Sequence, residues 1–455
     1  MVGLTGSSLV EECEMHIVGH KIFVRMKDIP MYLSKKTKDS IRNRYSHSVE
    51  VGLGTEYIVN HVSRGLGNDI DLNFFKIAKI TGLVHDIGHT AFSHDGEAIL
   101  DKVLQKASLG FDVPVRFNAN MNNFRRIEKY GLFDLLPEDI RRYALASLLK
   151  RKKDLREYPE YLSMEEDLHY AIDLEEEYLA SKGMKIHNRT GKTILCQAMD
   201  LADENRYRVT DIIDALNIYS KQKLKEILVR SLKSKVRIKD IRKLVTLNME
   251  NPVQTKQVHS DKMPVKALLV LLLDRESHAK TEFQNIMNSL SMAFNRNFML
   301  SEEGKLVPAD EDIEQLRRDF QTVAATYIWG SKKVENIKKP FRHYFSTVVN
   351  YFVNGTFNMA FIDSSTYREE FMALKKKALS EKAYRKEELL LLRNFLGGLT
   401  NVKIIELYKK IKLERFEAEY ACQVEKKEKL LLQTSMHEFE KKLEKYTQRV
   451  ILKAG

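Results

Sequence analysis

The 455-residue sequence contains only three cysteines, Cys13, Cys196 and Cys422, and they lie far apart with no CxxC spacing. Three such thiols are too few to build a disulfide framework. Chains with so little cysteine are typical of a reducing compartment. We therefore expect a cytoplasmic protein.

Long hydrophobic runs are also missing. The best apolar run is ALLVLLL at 267–273, whereas a membrane-spanning helix needs about 20 apolar residues. Near the N-terminus, Glu11, Glu12 and Glu14 stand where a signal peptide would carry its apolar segment. We expect neither a membrane span nor a signal peptide.

Strand-like alternation is scarce, whereas apolar residues recur at helical spacing, as in ALASLLK (144–150) and VTDIIDALNIY (209–219). The pattern predicts an all-α fold. The overall composition, 43% hydrophobic and 30% charged residues, is that of an ordinary globular protein. Predicted breaks are few. They lie around Pro114, at 248–264, at 301–308 and around Pro340.

No internal repeat divides the chain. We expect residues 1–220 to form a compact helical core and residues 221–455 to form a C-terminal helical region that completes the active site. From residue 413 onward the sequence is amphipathic, which suits packing or contacts between subunits.

The net charge of +12 indicates a polyanionic partner such as nucleic acid, a nucleotide or a membrane surface. Much of the excess lies in lysine-rich stretches at 221–243 and 426–445. Such stretches are also found as solvated helix faces, so both interpretations stay open.

The segment TGLVHDIGHTAFSHDGE at 81–97 concentrates three of the 13 histidines, His85, His89 and His94, among acidic residues. The apolar residues before His85 predict a buried helix that ends at the His85–Asp86 pair. Adjacent side chains on a helix point about 100° apart, so the pair can bind one metal ion only with ligands from elsewhere.

Two other segments can supply those ligands. His47 opens an apolar helical stretch in RNRYSHSVEVG, and Asp203 is predicted to begin a helix that carries Tyr207 and Asp211 on the same face. Two histidines and two carboxylates suit magnesium, manganese or another first-row transition metal. Four protein ligands would leave room for water and substrate. The alternative is that these residues are separate core polar groups.

Several segments, in order, resemble the HD superfamily of metal-dependent phosphohydrolases, and within it the deoxyguanosine triphosphate triphosphohydrolase branch. The matching segments are RNRYSHS (42–48), HDIGHTAFSHDGE (85–97), FNANMNNFRRIE (117–128), ADENRYRVTDIIDAL (202–216) and NFLGGLTNVKIIELY (394–408). The resemblance implies an HD-domain fold with additional helices packed C-terminally. It also implies a divalent ion bound by His47, His85, Asp86 and Asp203.

The chain departs from the family pattern at three places. Asn122 stands where glutamine is usual, and Asn401, Val402 and Lys403 replace an Asp-Arg-Tyr run. No glutamine occurs between residues 22 and 40, where relatives keep one near the sugar. These departures concern the choice of nucleotide more than the reaction.

The reaction implied by the resemblance is cleavage between O5′ and the α-phosphorus of a deoxynucleoside triphosphate, with deoxyguanosine triphosphate the preferred candidate. The products are the nucleoside and inorganic triphosphate. We assign the general acid or base to His94, oriented by Glu97 three residues later. His89 either contacts a phosphate or caps the loop.

Cationic and polar side chains are then expected to bind the substrate. The predicted phosphate ligands are Arg44, Arg125, Lys150 and, more weakly, Lys403, with Asn120 in the same substrate-binding set. Tyr207 is expected to stack on the deoxyribose, and Asp211 to accept a hydrogen bond from the 3′-hydroxyl.

Two other functions stay open. The chain could act on another nucleotide, a monophosphate or a cyclic or signalling nucleotide, or it could be a nucleic-acid-binding regulator on an HD scaffold. From the resemblance we also expect a homo-oligomer, a hexamer or tetramer, and single-stranded DNA or a nucleotide as an effector.

Overall fold

The computed structural model describes residues 5–31, 42–66, 77–245, 262–274, 279–355, 357–424 and 436–445. Most of these residues are helical, which confirms the predicted all-α class. The α-helices are Thr5–Gly19, Lys21–Val24, Arg44–Gly65, Ala78–Val84, Ser93–Ala107, Ala119–Lys129, Glu138–Ala146, Met164–Ser181, Ile194–Ile218, Lys221–Ser231, Ile238–Leu244, Val265–Asp274, Ala279–Asn295, Glu311–Val323, Lys332–Asn354, Ser365–Lys375, Glu381–Gly397, Asn401–Val424 and 436–445.

Other regular structure is short. Short 3₁₀-helices occur at Arg25–Asp28, Lys152–Glu157, Pro159–Tyr161 and Met359–Phe361, and Ala324–Trp329 is π-helical. The strands Phe298–Leu300 and Leu306–Pro308 form an antiparallel hairpin in which Leu300 faces Leu306. This hairpin and the loop around Pro114 confirm two of the predicted breaks.

The described residues divide into two compact units that interleave along the chain. The first is drawn from Met1–His20, Ser46–His85 and Tyr130–Glu335, and the second from Lys21–Tyr45, Asp86–Lys129 and Asn336–Gly455. Each unit contains its own cluster of fully buried apolar side chains, around Phe294 and Phe320 in the first and around Phe345 and Phe352 in the second. The sequence-based division near residue 220 stays a prediction.

Local sequence signals explain where several helices begin. Thr193 accepts a hydrogen bond from the Cys196 amide at the start of Ile194–Ile218, and Asp310 accepts from two amides at the start of Glu311–Val323. Short polar side chains in these positions satisfy amides that have no partner within the helix. The helix boundaries around the candidate site are therefore set largely by local chemistry.

Some predicted boundaries are wrong. Helix Lys332–Asn354 runs through Pro340 although proline removes a helix hydrogen bond at a cost of roughly 3 kcal/mol. Burial of its apolar side chains beyond that point, including Phe345 and Phe352, offsets this cost. Helix Glu138–Ala146 ends within the ALASLLK stretch. Most of the predicted break at 248–264 lies outside the described residues.

None of the helices in the described part of the chain has the length and apolar character that crossing a membrane requires. The stretch around ALLVLLL forms the ten-residue helix Val265–Asp274. Five of its side chains are buried in the core of the first unit. The apolar run is thus part of that core.

Candidate functional site

In the first unit, helix Ile194–Ile218 carries Asp203, Tyr207 and Asp211. The prediction that a helix begins at Asp203 is wrong, because the helix already begins nine residues earlier. Its start is fixed by Thr193 and by the buried Glu175, whose carboxylate accepts from the Ile194 amide at 2.8 Å. The intervals of four residues still place the three side chains on one face.

His85 lies at the end of the short helix Ala78–Val84, six of whose seven residues are buried. The predicted buried helix that ends at the His-Asp pair is confirmed. Nδ1 of His85 lies 2.7 Å from the Gly82 carbonyl oxygen. Because a carbonyl oxygen only accepts, Nδ1 holds the proton, and in the neutral ring Nε2 is the atom available to bind a metal.

The structure brings His47, His85 and Asp203 together within the first unit. Their ligand atoms lie within 4.8 Å of one another. Nε2 of His47 is 3.0 Å and Nε2 of His85 is 3.7 Å from Oδ1 of Asp203. Both imidazoles are completely buried, and the Asp203 side chain is 15% exposed. Three chain segments that are remote in sequence therefore meet at one carboxylate oxygen.

The electrostatics of this cluster favour an ionised Asp203. Burial raises the pKa of its carboxyl, but the positive charge of Lys150 and the contacts with His85 and His47 lower the pKa by more, so it lies well below the usual range. Nζ of Lys150 is 3.2 Å from Oδ2 of Asp203 and 3.4 Å from Asp200. Lys150, predicted as a phosphate ligand, thus lies beside the carboxylate.

The separations between the ligand atoms of His47, His85 and Asp203 suit binding of one divalent ion. Ligands about 2.1 Å from a common ion stand roughly 3 to 4 Å from one another, which matches the separations of 3.0 and 3.7 Å seen here. With His85 neutral, its Nε2 and Oδ1 of Asp203 would face each other as two hydrogen-bond acceptors, an arrangement that a cation bound between them would stabilise. The first unit thus presents a candidate centre for a hard or borderline metal ion on an all-α scaffold.

Tyr207 and Asp211 extend this face of the helix. The Tyr207 ring centroid lies 4.6 Å from that of His47. Asp211 is buried, and its Oδ2 accepts a hydrogen bond of 2.6 Å from Nε1 of Trp329. The sequence did not indicate a role for Trp329, because 118 residues separate it from Asp211.

In the second unit, the Asp86 carboxylate forms an ion pair with Arg44 and lies 3.2 Å from Nδ1 of His89. All three side chains are buried. Arg44 also donates from Nε to the Ser93 hydroxyl at 3.2 Å. Arg44, predicted to bind phosphate, and Asp86, predicted to bind metal, are therefore direct partners of each other here.

His94 and Glu97 form the pair that their spacing suggested. Nδ1 of His94 is 3.2 Å from Oε2 of Glu97, while Oε1 of Glu97 accepts from the Ala119 amide at 2.8 Å. Glu97 is thereby oriented, and the imidazole, 77% exposed, can exchange protons with a ligand or with water. The His89 and His94 rings stand edge to face with centroids 5.2 Å apart.

A strained turn presents His94. Phe92 and Ser93 both have positive φ, 60° and 56°, which costs roughly 1 to 3 kcal/mol for each non-glycine residue. The Phe92 ring packs edge to face on Phe345, and its amide donates to Oδ1 of Asn401 at 2.8 Å. Asn401, one of the departures from the family pattern, thus holds this turn.

Two asparagines and an arginine fix the loop that follows Asp86. Asn123 accepts from the Gly88 amide at 2.6 Å, and Asn122 donates to the Gly88 carbonyl at 2.7 Å. Arg25 donates to the carbonyls of Ile87 and His89. Sequence reasoning missed Asn123, although the run of asparagines at 118–123 could have indicated it, and no local signal marks Arg25.

The remaining predicted substrate ligands are in the second unit. Arg125 is half-buried and donates to Oδ1 of Asn122 at 3.2 Å, and Asn120 is half-buried on the same helix. Lys403 forms ion pairs with Asp363 and Glu406. Lys403 is thus paired with carboxylates, as Arg44 and Lys150 are.

No protein-family model matches the chain, but curated relatives do. A deoxyguanosinetriphosphate triphosphohydrolase-like protein 2 of Vibrio cholerae is 29% identical over 182 residues, 39% of this chain and 39% of that protein. A deoxyguanosinetriphosphate triphosphohydrolase-like protein of Corynebacterium diphtheriae is 26% identical over 207 residues, which are 42% of each chain. A protein of the same name from Clostridium tetani is 34% identical over 118 residues, which are 25% of this chain and 29% of that protein.

The chain is thus related to the deoxyguanosinetriphosphate triphosphohydrolase-like proteins, which confirms the resemblance found in its motifs. It spans about two fifths of the length of the Vibrio and Corynebacterium relatives.

Proposed function

We propose that this protein hydrolyses a deoxynucleoside triphosphate, with deoxyguanosine triphosphate the first candidate, to the deoxynucleoside and inorganic triphosphate in a metal-dependent reaction. The observation that carries the proposal is the meeting of His47, His85 and Asp203 at one carboxylate oxygen. The names of the relatives support the substrate class.

His47, His85 and Asp203 are the proposed metal ligands, and Asp86, next to His85 in the chain, is the proposed fourth. A bound magnesium, manganese or other first-row transition-metal ion would supply Lewis acidity for an α-phosphate oxygen and for the attacking water. Lys150 keeps Asp203 ionised, and the Gly82 carbonyl keeps Nε2 of His85 available as a ligand atom. These contacts prepare the ligand atoms for a cation.

His94 is the proposed proton donor to the leaving 5′-oxygen, or the base that accepts a proton from water. The Nδ1 contact with Glu97 directs the proton transfer to Nε2. The high exposure of the ring leaves Nε2 accessible. His89, buried against Asp86, is the proposed support for this arrangement rather than a group that moves protons.

The residues that we propose to bind the substrate are those predicted from the sequence. Tyr207 would stack on the sugar and Asp211 would accept from its 3′-hydroxyl. The proposed phosphate ligands are Arg44, Arg125, Lys150 and, weakest, Lys403, with Asn120 beside them. The guanidinium of Arg125 is half-buried and donates to Oδ1 of Asn122.

Product analysis tests the proposal. The pure protein is incubated with each deoxynucleoside triphosphate and Mn²⁺ or Mg²⁺, and the products are separated by chromatography. We expect a nucleoside and intact triphosphate, and loss of activity in Asp203→Asn and Asp86→Asn. Asp173→Asn, the same chemical change at an exposed position, should retain activity. Release of pyrophosphate or phosphate, or hydrolysis only of monophosphates or cyclic nucleotides, would contradict the proposed reaction.

A second candidate function, binding of single-stranded DNA or a nucleotide as an effector, is favoured by the charge of residues 221–243. This segment has ten Lys or Arg residues against two acidic ones, a net +8 of the chain's +12. Most of these cations are exposed. Binding of a labelled oligonucleotide should weaken steeply with salt, and removal of the charges at Lys235, Lys239 and Lys243 should reduce that salt dependence.

We also propose that the protein is a cytoplasmic homo-oligomer, a hexamer or tetramer, as symmetric assembly is common among soluble enzymes. Sedimentation velocity of the full chain tests the assembly. A single monomeric species across the micromolar range would contradict it.

A further inference from the structure

We propose that Trp329 is a positioning residue that holds Asp211 for recognition of the substrate's sugar hydroxyl, and so helps to set the specificity of the site. This inference rests on the proposed function, because it deepens the role assigned to Asp211. It concerns a contact within the first unit. The chain contains no other tryptophan, so the residue also provides its own spectroscopic signal.

The contact is a short charge-assisted hydrogen bond. Nε1 of Trp329 donates to Oδ2 of Asp211 over 2.6 Å, and Asp211 is only 7% exposed. A buried carboxylate requires donors to offset the loss of water. The indole N–H is such a donor and fixes the direction of one carboxylate oxygen. It thereby also fixes the direction of the other oxygen.

The backbone around Trp329 is built to keep the indole in place. Trp329 is the last residue of the π-helical segment Ala324–Trp329, a rare conformation that is frequent at functional sites. The Tyr219 hydroxyl donates to the Tyr327 carbonyl at 2.6 Å, and the Lys333 ammonium donates to the Ile218 carbonyl. The first contact ties the segment, and the second ties the helix that follows it, to the end of the helix that carries Asp211.

A carboxylate oxygen that is held in one direction accepts a hydrogen bond only from a hydroxyl in the matching position. It therefore distinguishes substrates that carry this hydroxyl from those that lack it. A site built to pair with one hydroxyl discriminates strongly against an analogue that lacks it, because its buried polar group then loses a partner. Loss of the indole N–H would remove the donor that orients Oδ2 of Asp211. The loss should therefore weaken selection for the 3′-hydroxyl more than it weakens phosphate chemistry.

The test compares Trp329→Phe with the wild-type chain on deoxyguanosine triphosphate and on 2′,3′-dideoxyguanosine triphosphate. Phenylalanine keeps an aromatic ring but has no N–H. We expect kcat/KM for the deoxy substrate to fall about tenfold, as for loss of one hydrogen bond to a charged group, with a much smaller change for the dideoxy substrate. The preference between the two should shrink accordingly.

Tyr219→Phe is the matched control. It removes one donor to the same π-helical segment without touching Asp211, so it should leave the preference for the 3′-hydroxyl unchanged. Asp211→Asn should reduce that preference, and adding Trp329→Phe to it should cause little further loss. Full additivity of the two substitutions would overturn the inference.

The outcomes separate the inference from the proposed function. Equal losses on both substrates in Trp329→Phe would overturn the positioning role and leave the hydrolase intact. Failure of the wild-type chain to hydrolyse any deoxynucleoside triphosphate would overturn both. If Trp329→Phe does not fold, the Trp329 emission of Asp211→Ala decides. Alanine offers the indole no acceptor, so a spectrum identical to that of the wild type would contradict the contact.

Discussion

Replacing the buried Glu175 by glutamine should change how the stability of the protein depends on pH. Glu175 is 1% exposed and accepts from the Tyr143 hydroxyl at 2.6 Å and from the Ile194 amide at 2.8 Å. It thereby caps the helix that carries Asp203. Burial raises its pKa from 4.5 to about 7, although these hydrogen bonds act to lower it.

The sign of the effect follows from proton linkage. Because the pKa of Glu175 is higher in the folded chain, the folded chain binds more protons than the unfolded chain between pH 4.5 and about 7. Stability therefore falls as pH rises through this window and levels off above it. A shift from 4.5 to about 7 corresponds to about 3 kcal/mol of unfolding free energy.

Urea denaturation followed by Trp329 fluorescence measures this effect in the unit that contains both residues. The Glu175→Gln chain cannot ionise at this position, so its free energy of unfolding should gain about 2.5 kcal/mol relative to the wild type between pH 5 and pH 8. A constant offset from the changed hydrogen bonds does not affect that difference. Glu177→Gln makes the same change at an exposed position and should run parallel to the wild type. Parallel profiles for Glu175→Gln would refute the reasoning.

Two further predictions concern the loop and the turn of the second unit. Gly88→Ala would place a Cβ 2.1 Å from the Ala119 carbonyl oxygen. We therefore expect its free energy of unfolding, measured by urea denaturation, to fall by roughly 1 to 3 kcal/mol or more. Gly65→Ala, with open space around it, is the control and should stay within about 1 kcal/mol of the wild type. Asn401→Ala leaves the Phe92 amide without this acceptor, so the free energy of unfolding should fall by about 1 to 3 kcal/mol. Asn401→Asp keeps an acceptor oxygen and should retain most of that stability. Equal stability of the two variants would contradict the role of Asn401.

Local patterns predicted what local chemistry determines. The apolar run before His85 indicated a buried helix ending at that residue, and the structure shows it. The polar opening before His47 likewise coincides with the start of helix Arg44–Gly65. The spacing of Asp203 and Tyr207 indicated a shared helix face, although it did not show that the helix begins at Ile194.

What the sequence did not reveal depends on contacts between distant segments. Glu175 and Trp329 each act on helix Ile194–Ile218 from a different part of the chain. Arg25 holds the loop after Asp86 through backbone carbonyls, which leave no mark on the sequence. Pro340 signals a helix break by local rules, but burial of the surrounding apolar residues overrides that signal.

Manganese binding followed by electron paramagnetic resonance tests the central claim most directly, because it detects the ion without any assumption about the substrate. We predict one tightly bound Mn²⁺ per chain, lost in Asp203→Asn and retained in Glu97→Gln. Glu97 is not one of the three proposed ligands, because its carboxylate lies within 4.8 Å of ring nitrogens of His89 and His94 in a separate cluster. Undiminished binding by Asp203→Asn would contradict the claim that His47, His85 and Asp203 form the metal centre.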